Sequence, residues 1–108
     1  MAAIAITPAS GSVIAKVSVC RIDVTGVDSN DTTTYDAAAH PTEQAVRYRL
    51  LAHKSGQDNL VSPEFVTSAA GKWTWDNLLF RASGTWTIDL IDTRDGSTAA
   101  TKSVVVTS

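Results

Sequence analysis

The sequence predicts an all-β protein, an antiparallel β-sandwich of about seven strands in a single domain over residues 1–108. Three observations predict it. Val, Thr and Ile are abundant and Trp occurs three times, the β-branched and aromatic residues that suit a pleated, half-buried surface. Apolar residues alternate with polar ones in short runs, the period-2 pattern of strands that hide one face. Clusters of Gly, Pro, Ser, Asn and Asp interrupt these runs about every 8–12 residues.

The first run, residues 3–7, sets Ile4 and Ile6 on one face, and Pro8-Ala9-Ser10-Gly11-Ser12 turns the chain. The second is predicted over 13–25. Val13, Ala15, Val17 and Val19 share a parity, whereas Ile22 and Val24 have the other, so a bulge near Cys20-Arg21 is expected to return both sets to the core. Residues 26–41 are expected to form a long polar loop with room for a short edge strand. In 43–54, Val46, Tyr48, Leu50 and Ala52 alternate with Arg47, Arg49, Leu51 and His53. A helix capped by Thr42 is the rival there, but the alternation favours a strand.

Pro63 places the run 60–66 at a sheet edge or ends it in a bulge. Residues 72–80 bring Trp73, Trp75, Leu78 and Phe80. In 84–92, Trp86, Ile88 and Leu90 point one way and Thr85, Thr87 and Asp89 the other. Asp95-Gly96 is a hairpin signal, and 99–107 closes the fold with Val104 and Val106 opposite in parity to Val105.

Composition narrows the function. The chain is 44% hydrophobic and 19% charged, with a net charge of −2. That is globular rather than disordered, and it lacks the positive surplus that nucleic-acid binding uses. Cys20 is the single cysteine, so neither an intrachain disulfide nor a thiolate metal site is expected. The first residues lack the basic and apolar regions of a signal peptide, and no run of about 18 apolar residues is present to span a membrane. Beginning with Met, the chain reads as a free-standing small protein or as a fragment carrying an added Met.

The segment Gly84-Thr85-Trp86-Thr87-Ile88-Asp89-Leu90-Ile91-Asp92-Thr93-Arg94-Asp95-Gly96, followed by Ala100-Thr101-Lys102-Ser103-Val104-Val105-Val106, resembles the last hairpin of bacterial and phage immunoglobulin-like domains. In those families a small-Gly-Thr-aromatic pattern opens the penultimate strand, and an Asp-rich turn leads to a Val-rich closing strand. Ile6-Thr7-Pro8-Ala9-Ser10-Gly11 is similar to their first strand and turn. The resemblance covers about a third of the chain and implies an immunoglobulin-like β-sandwich. The antibody pattern of paired cysteines is absent.

In phages such domains decorate capsids, form head fibres or extend tail proteins. The resemblance therefore implies a phage virion-surface protein, most concretely a capsid decoration or cement protein, made in the host cytoplasm. Its partner would be a capsid or other virion protein, with no nucleic acid, membrane or cofactor involved, and a homo-oligomer on the virion is compatible with that role. The edge-strand residues Ala3, Ile4, Ala5 and Ile6 are the candidate docking segment, since a terminal strand can extend a neighbour's sheet. On this reading residues 1–7 are expected to be disordered or strand-swapped in isolation. The alternatives are a carbohydrate- or cell-surface-binding module using Trp73 and Trp75 as a stacking platform, and an immunoglobulin-like domain of a tail protein. The ordinary role of those tryptophans is to plug one end of the sandwich.

Catalysis finds little support. No nucleophile–base pair, Gly-rich phosphate loop or motif-spaced acid pair occurs. His40 and His53 are 13 residues apart, which matches no metal motif, and read as surface histidines. Cys20 reads as a small apolar filler on a strand. Asp23, Asp28, Asp31 and Asp36 line a loop without the calcium-loop pattern, so Asx-turn chemistry accounts for them as well as calcium does. Asp92 and Asp95 flank a hairpin, where turn chemistry suffices. Arg47 and Arg49 keep a sheet face soluble or meet an acidic partner.

Overall fold

A computed structural model describes residues 2–26, 47–65, 72–93 and 96–108. Every regular element within them is a strand: β1 (Ala3–Thr7), β2 (Val13–Ile14), β3 (Cys20–Thr25), β4 (Tyr48–His53), β5 (Leu60–Val61), β6 (Trp73–Leu78), β7 (Gly84–Asp92) and β8 (Thr98–Thr107). They form two sheets, one ordered β1-β3-β6 and the other β2-β8-β7-β4-β5.

Alternation decides which faces meet. Cys20, Ile22 and Val24 of β3 are buried, as are Tyr48, Leu50 and Ala52 of β4, Trp86, Ile88 and Leu90 of β7, and Val104 and Val106 of β8. Their neighbours in sequence face outward, and the buried sets of both sheets join in one core cluster. Full burial of each Ile or Leu in this cluster contributes up to about 3 kcal/mol. The longest strands, β7 and β8, pair antiparallel, and a register shift between Leu90 and Ile91 skips Ala99.

The expected strand over 13–25 is corrected. Val13–Ile14 and Cys20–Thr25 belong to different sheets, so the change of parity comes from a crossing between layers rather than from a bulge within one strand. Val17 and Val19, expected in the core beside Val13, are 68% and 64% exposed on the connecting turn. A bulge does lie at this register, but on β6: between the pairs Cys20↔Leu78 and Ile22↔Trp75, Asp76 and Asn77 face Arg21 alone. Asn77 adopts φ 61° to make it, a left-handed conformation that Asn tolerates better than most residues. Pairing is not antiparallel throughout either, because β2 runs parallel to β8.

The predicted strand over 43–54 is realised as Tyr48–His53; its first residues, Val46 among them, lie outside the described ones. The proline-containing run sits at a sheet edge, as its sequence predicts. Leu60–Val61 pairs with β4, and the ladder resumes only at the Tyr48–Phe65 bridge. Ser62 spans the gap beside Pro63: its hydroxyl accepts from Leu50 N–H at 2.8 Å and donates to the Pro63 carbonyl at 2.9 Å. Burying that hydroxyl is tolerable because both bonds are made.

Candidate functional site

The candidate docking segment lies on an outer strand. β1 pairs with β3 over Ala3↔Thr25 to Thr7↔Arg21, and along its other edge it hydrogen-bonds to no strand among the described residues, although it passes close to β8 of the other sheet. Residues 3–7 are thus a formed strand of the chain's own sheet, in contrast to the disorder or swapping expected of them. Ile6 is buried and Ile4 half-buried on the inner face, while Ala3 and Ala5 are exposed on the outer one. The inward pair fastens the strand to the core, and its outer backbone edge has no strand partner among the described residues.

The other outer strands are protected. Unpaired edges invite strand addition, and folds blunt them with short strands, prolines, bulges and charges. β2 and β5 have two residues each, and β5 leads into Pro63. β6 carries the Asp76–Asn77 bulge. β1, Ala-Ile-Ala-Ile-Thr, has no charge, proline or bulge. Among the described residues it is the long unguarded edge.

Trp73 and Trp75 stand opposite the fully buried Val24 and Ile22 on β3. Both therefore belong to the core-facing side of β6 and pack half-buried against the core. Trp73 lies flat on Phe65, with ring centroids 3.8 Å apart and planes at 5°. One of its faces is thereby occupied by the protein itself.

The remaining candidates disperse. Cys20 is buried, its thiol pushed up from the ordinary value by desolvation, and Sγ lies 3.6 Å from the Ser18 carbonyl. Burial of this kind disfavours the nucleophilic thiolate. His40, Asp28, Asp31, Asp36 and Asp95 lie outside the described residues. Asp23 points outward from β3, where its carboxylate accepts from Arg21 Nε at 3.1 Å and Thr74 Oγ1 at 2.7 Å. Arg47 stands 3.7 Å from Glu64, Arg49 is exposed, and Asp92 is buried at the end of β7. Among the described residues, no three His, Cys, Asp or Glu side chains converge on a point where a metal ion would sit.

One constellation has no signature in the sequence. On the outer face of the five-stranded sheet, Asp89 accepts from Thr101 Oγ1 at 2.7 Å and from His53 Nε2 at 2.8 Å. Thr101 lies directly across the ladder from Asp89, and His53 is diagonal to it, both within reach for side chains on one sheet face. The only signal available was that β4 and β7 each place a polar residue at an outward position. The line ties three strands together and, with His53 at 40% exposure, stands open to water on one side.

Compared with protein-family models, with curated proteins and with solved structures, the chain matches none.

Proposed function

We propose that this chain is an immunoglobulin-like structural module that docks on a larger protein assembly by strand addition along β1, and that the assembly is a phage virion on whose capsid surface it serves as a decoration or cement protein. The observation that carries the docking reading is the edge of β1, unpaired among the described residues, uncharged and regular where the other outer strands are short or bulged. Main-chain hydrogen bonds along such an edge supply affinity, and alternate side chains supply specificity. Repetition over a symmetric shell would turn weak single contacts into firm attachment.

The immunoglobulin-like reading draws support from strand order. β1-β3-β6 against β8-β7-β4-β5 follows the A-B-E against G-F-C-C′ order of such sandwiches, and the initial strand divides between the two sheets as β1 and β2. The virion assignment rests on the resemblance carried by Gly84 to Val106 and by Ile6 to Gly11. A glycan-binding module ranks second, because stacking a sugar on Trp73 needs an open indole face and Phe65 covers one.

The test is co-sedimentation with undecorated phage heads and, separately, with insoluble polysaccharide, for the wild type, Ile4→Pro and Ala5→Pro. Successive residues of an edge strand direct their N–H groups alternately inward and outward. One proline therefore breaks the ladder to β3, and the other leaves it intact and blocks the outer edge. Saturable binding to heads, lost in the stably folded proline variant, supports the proposal. Binding to polysaccharide alone, or head binding unaffected by that variant, overturns it.

A further inference from the structure

Three connections converge at one end of the molecule: the turn after β2, the turn after β4 and the segment between β6 and β7. Between them lies an open hollow of about 430 Å³ whose lining includes Lys16, Lys54, Arg81, Gln57 and Ser83. Three of the nine Lys and Arg residues of a chain with net charge −2 thus meet in one place. No Asp or Glu side chain lines the hollow with them, but the last residue, Ser108, does, so the three cations face one terminal carboxylate; Asp58 stands in an adjoining depression that shares Gln57 and Arg81. None of the three cations is in an ion pair among the described residues.

Two of them are held by the fold. Lys16 adopts φ 64° and donates its backbone N–H to the Phe80 carbonyl at 2.8 Å, which moors its turn beside Arg81. The Lys54 stem lies across Gly84, whose φ is 126° and where a Cβ would overlap the Lys54 Cε. Glycine at that position opens the channel in which the stem rests, and a restrained stem loses less entropy when its ammonium group takes a ligand. Placing like charges together is unfavourable unless an anion or water screens them, so the cluster creates a local positive potential on an otherwise acidic protein.

We propose that this hollow binds a sugar-sized anion through a phosphate or carboxylate group. Lys16 and Lys54 act as point charges on the oxyanion, and the Arg81 guanidinium presents paired donors to two of its oxygens. Gln57 and Ser83 contribute neutral donors and acceptors for hydroxyl groups. The volume exceeds what a bare phosphate fills and lies in the range of small-ligand sites. Nothing in this assignment depends on β1, so it stands or falls separately from the docking proposal.

The test is an amide NMR titration of the full chain at about 150 mM salt, where exposed charges are screened beyond roughly 8 Å. The probes are glucose 6-phosphate, glucuronate, glucose and inorganic phosphate. Saturable shifts confined to the Lys16, Lys54, Gln57, Arg81 and Ser83 amides with one or both anionic sugars, and none with glucose, are expected; which anionic sugar binds more tightly identifies the group. Lys54→Met keeps the stem and removes the charge, and Arg81→Gln removes the fork. Each should weaken binding at least about tenfold, while Lys102→Met on β8 leaves it unchanged. Gly84→Ala, which displaces the Lys54 stem without altering any charge, should also weaken it. Inorganic phosphate binding as tightly as either sugar, shifts that never saturate, an absence of shifts, or equal binding by Lys54→Met and Arg81→Gln overturns the proposal.

Discussion

Trp73 and Phe65 stack face to face across the gap between the two sheets, ring centroids 3.8 Å apart. Trp73 belongs to β6 of the three-stranded sheet, and Phe65 is tied to β4 of the other by reciprocal backbone hydrogen bonds with Tyr48. Tyr48 extends the cluster, its ring centroid 6.1 Å from that of Phe65. The aromatic layer thus clamps one sheet edge to the other where β5 is too short to do so. Trp73→Ala should lower unfolding free energy by about 2 kcal/mol, less than a fully buried Trp would cost because the side chain is only half covered. A double-mutant cycle with Phe65→Ala, read by urea denaturation, should return a coupling of about 1 kcal/mol. Additive losses would mean that the stack contributes contact area alone.

Each sheet carries one outward Asp bonded to the Thr directly across from it, Asp23 with Thr74 and Asp89 with Thr101. The second partner differs: Arg21 on the same strand for Asp23, His53 on the neighbouring strand for Asp89. The Asp89 side chain is 19% exposed and that of Asp23 30%, and both basic partners are more exposed than either. Solvent screening therefore discounts the charge in both contacts, and the Thr hydroxyl bonds carry most of the effect. Asp89→Ala should cost about 1 kcal/mol, because it unties three strands, and Asp23→Ala less. Thermal unfolding of the two variants decides the order, and a larger loss for Asp23→Ala would contradict it.

These bonds also show where sequence reading stops. Trp86, Ile88 and Leu90 announced their burial by strict alternation, and Val104 and Val106 did the same, since one buried face imposes a period of two whatever the partner strand is. Lys16 gave no such signal. Its turn carries the chain from one sheet to the other, and local pattern registers only a parity change, which a bulge would explain equally well. Asp89 reads simply as an outward polar residue because its partners lie 36 and 12 positions away. The basic hollow is less legible still: Lys16, Lys54 and Arg81 are scattered in sequence and meet only once three connections are folded together.

Cys20 gives a pH dependence with a definite sign. Its thiol is raised by desolvation in the folded chain, so the unfolded chain releases the proton at lower pH than the folded one. The stability tied to the protonated thiol is complete below the unfolded-state value and is lost as pH rises from there through the folded-state value. Wild type should therefore lose stability faster than Cys20→Ala as pH climbs past the ordinary thiol range. Denaturant midpoints measured in parallel across that range test this, and parallel curves for the two proteins would refute it. The native thiol should also resist an aromatic disulfide reagent that titrates it promptly once denaturant is added.

Asn77 offers the cleanest test of the β6 bulge. At φ 61° it occupies the left-handed region, and with Asp76 it places two residues opposite Arg21. Glycine adopts this conformation without a side-chain penalty but gives more entropy to the unfolded chain, so the two effects oppose each other. Asn77→Gly should stay within about 0.5 kcal/mol of wild type. Valine branches at Cβ and is a steric outlier here. Asn77→Val should cost about 1–3 kcal/mol or force the bulge out of the strand. Forcing it out would shift the register of Trp75 and Trp73 by one position and turn both indoles from the core-facing side to the outer one. Tryptophan fluorescence separates the two outcomes. Strain alone leaves the native emission maximum in place and moves only the denaturation midpoint, whereas a register slip moves the native maximum to the red as the indoles meet water.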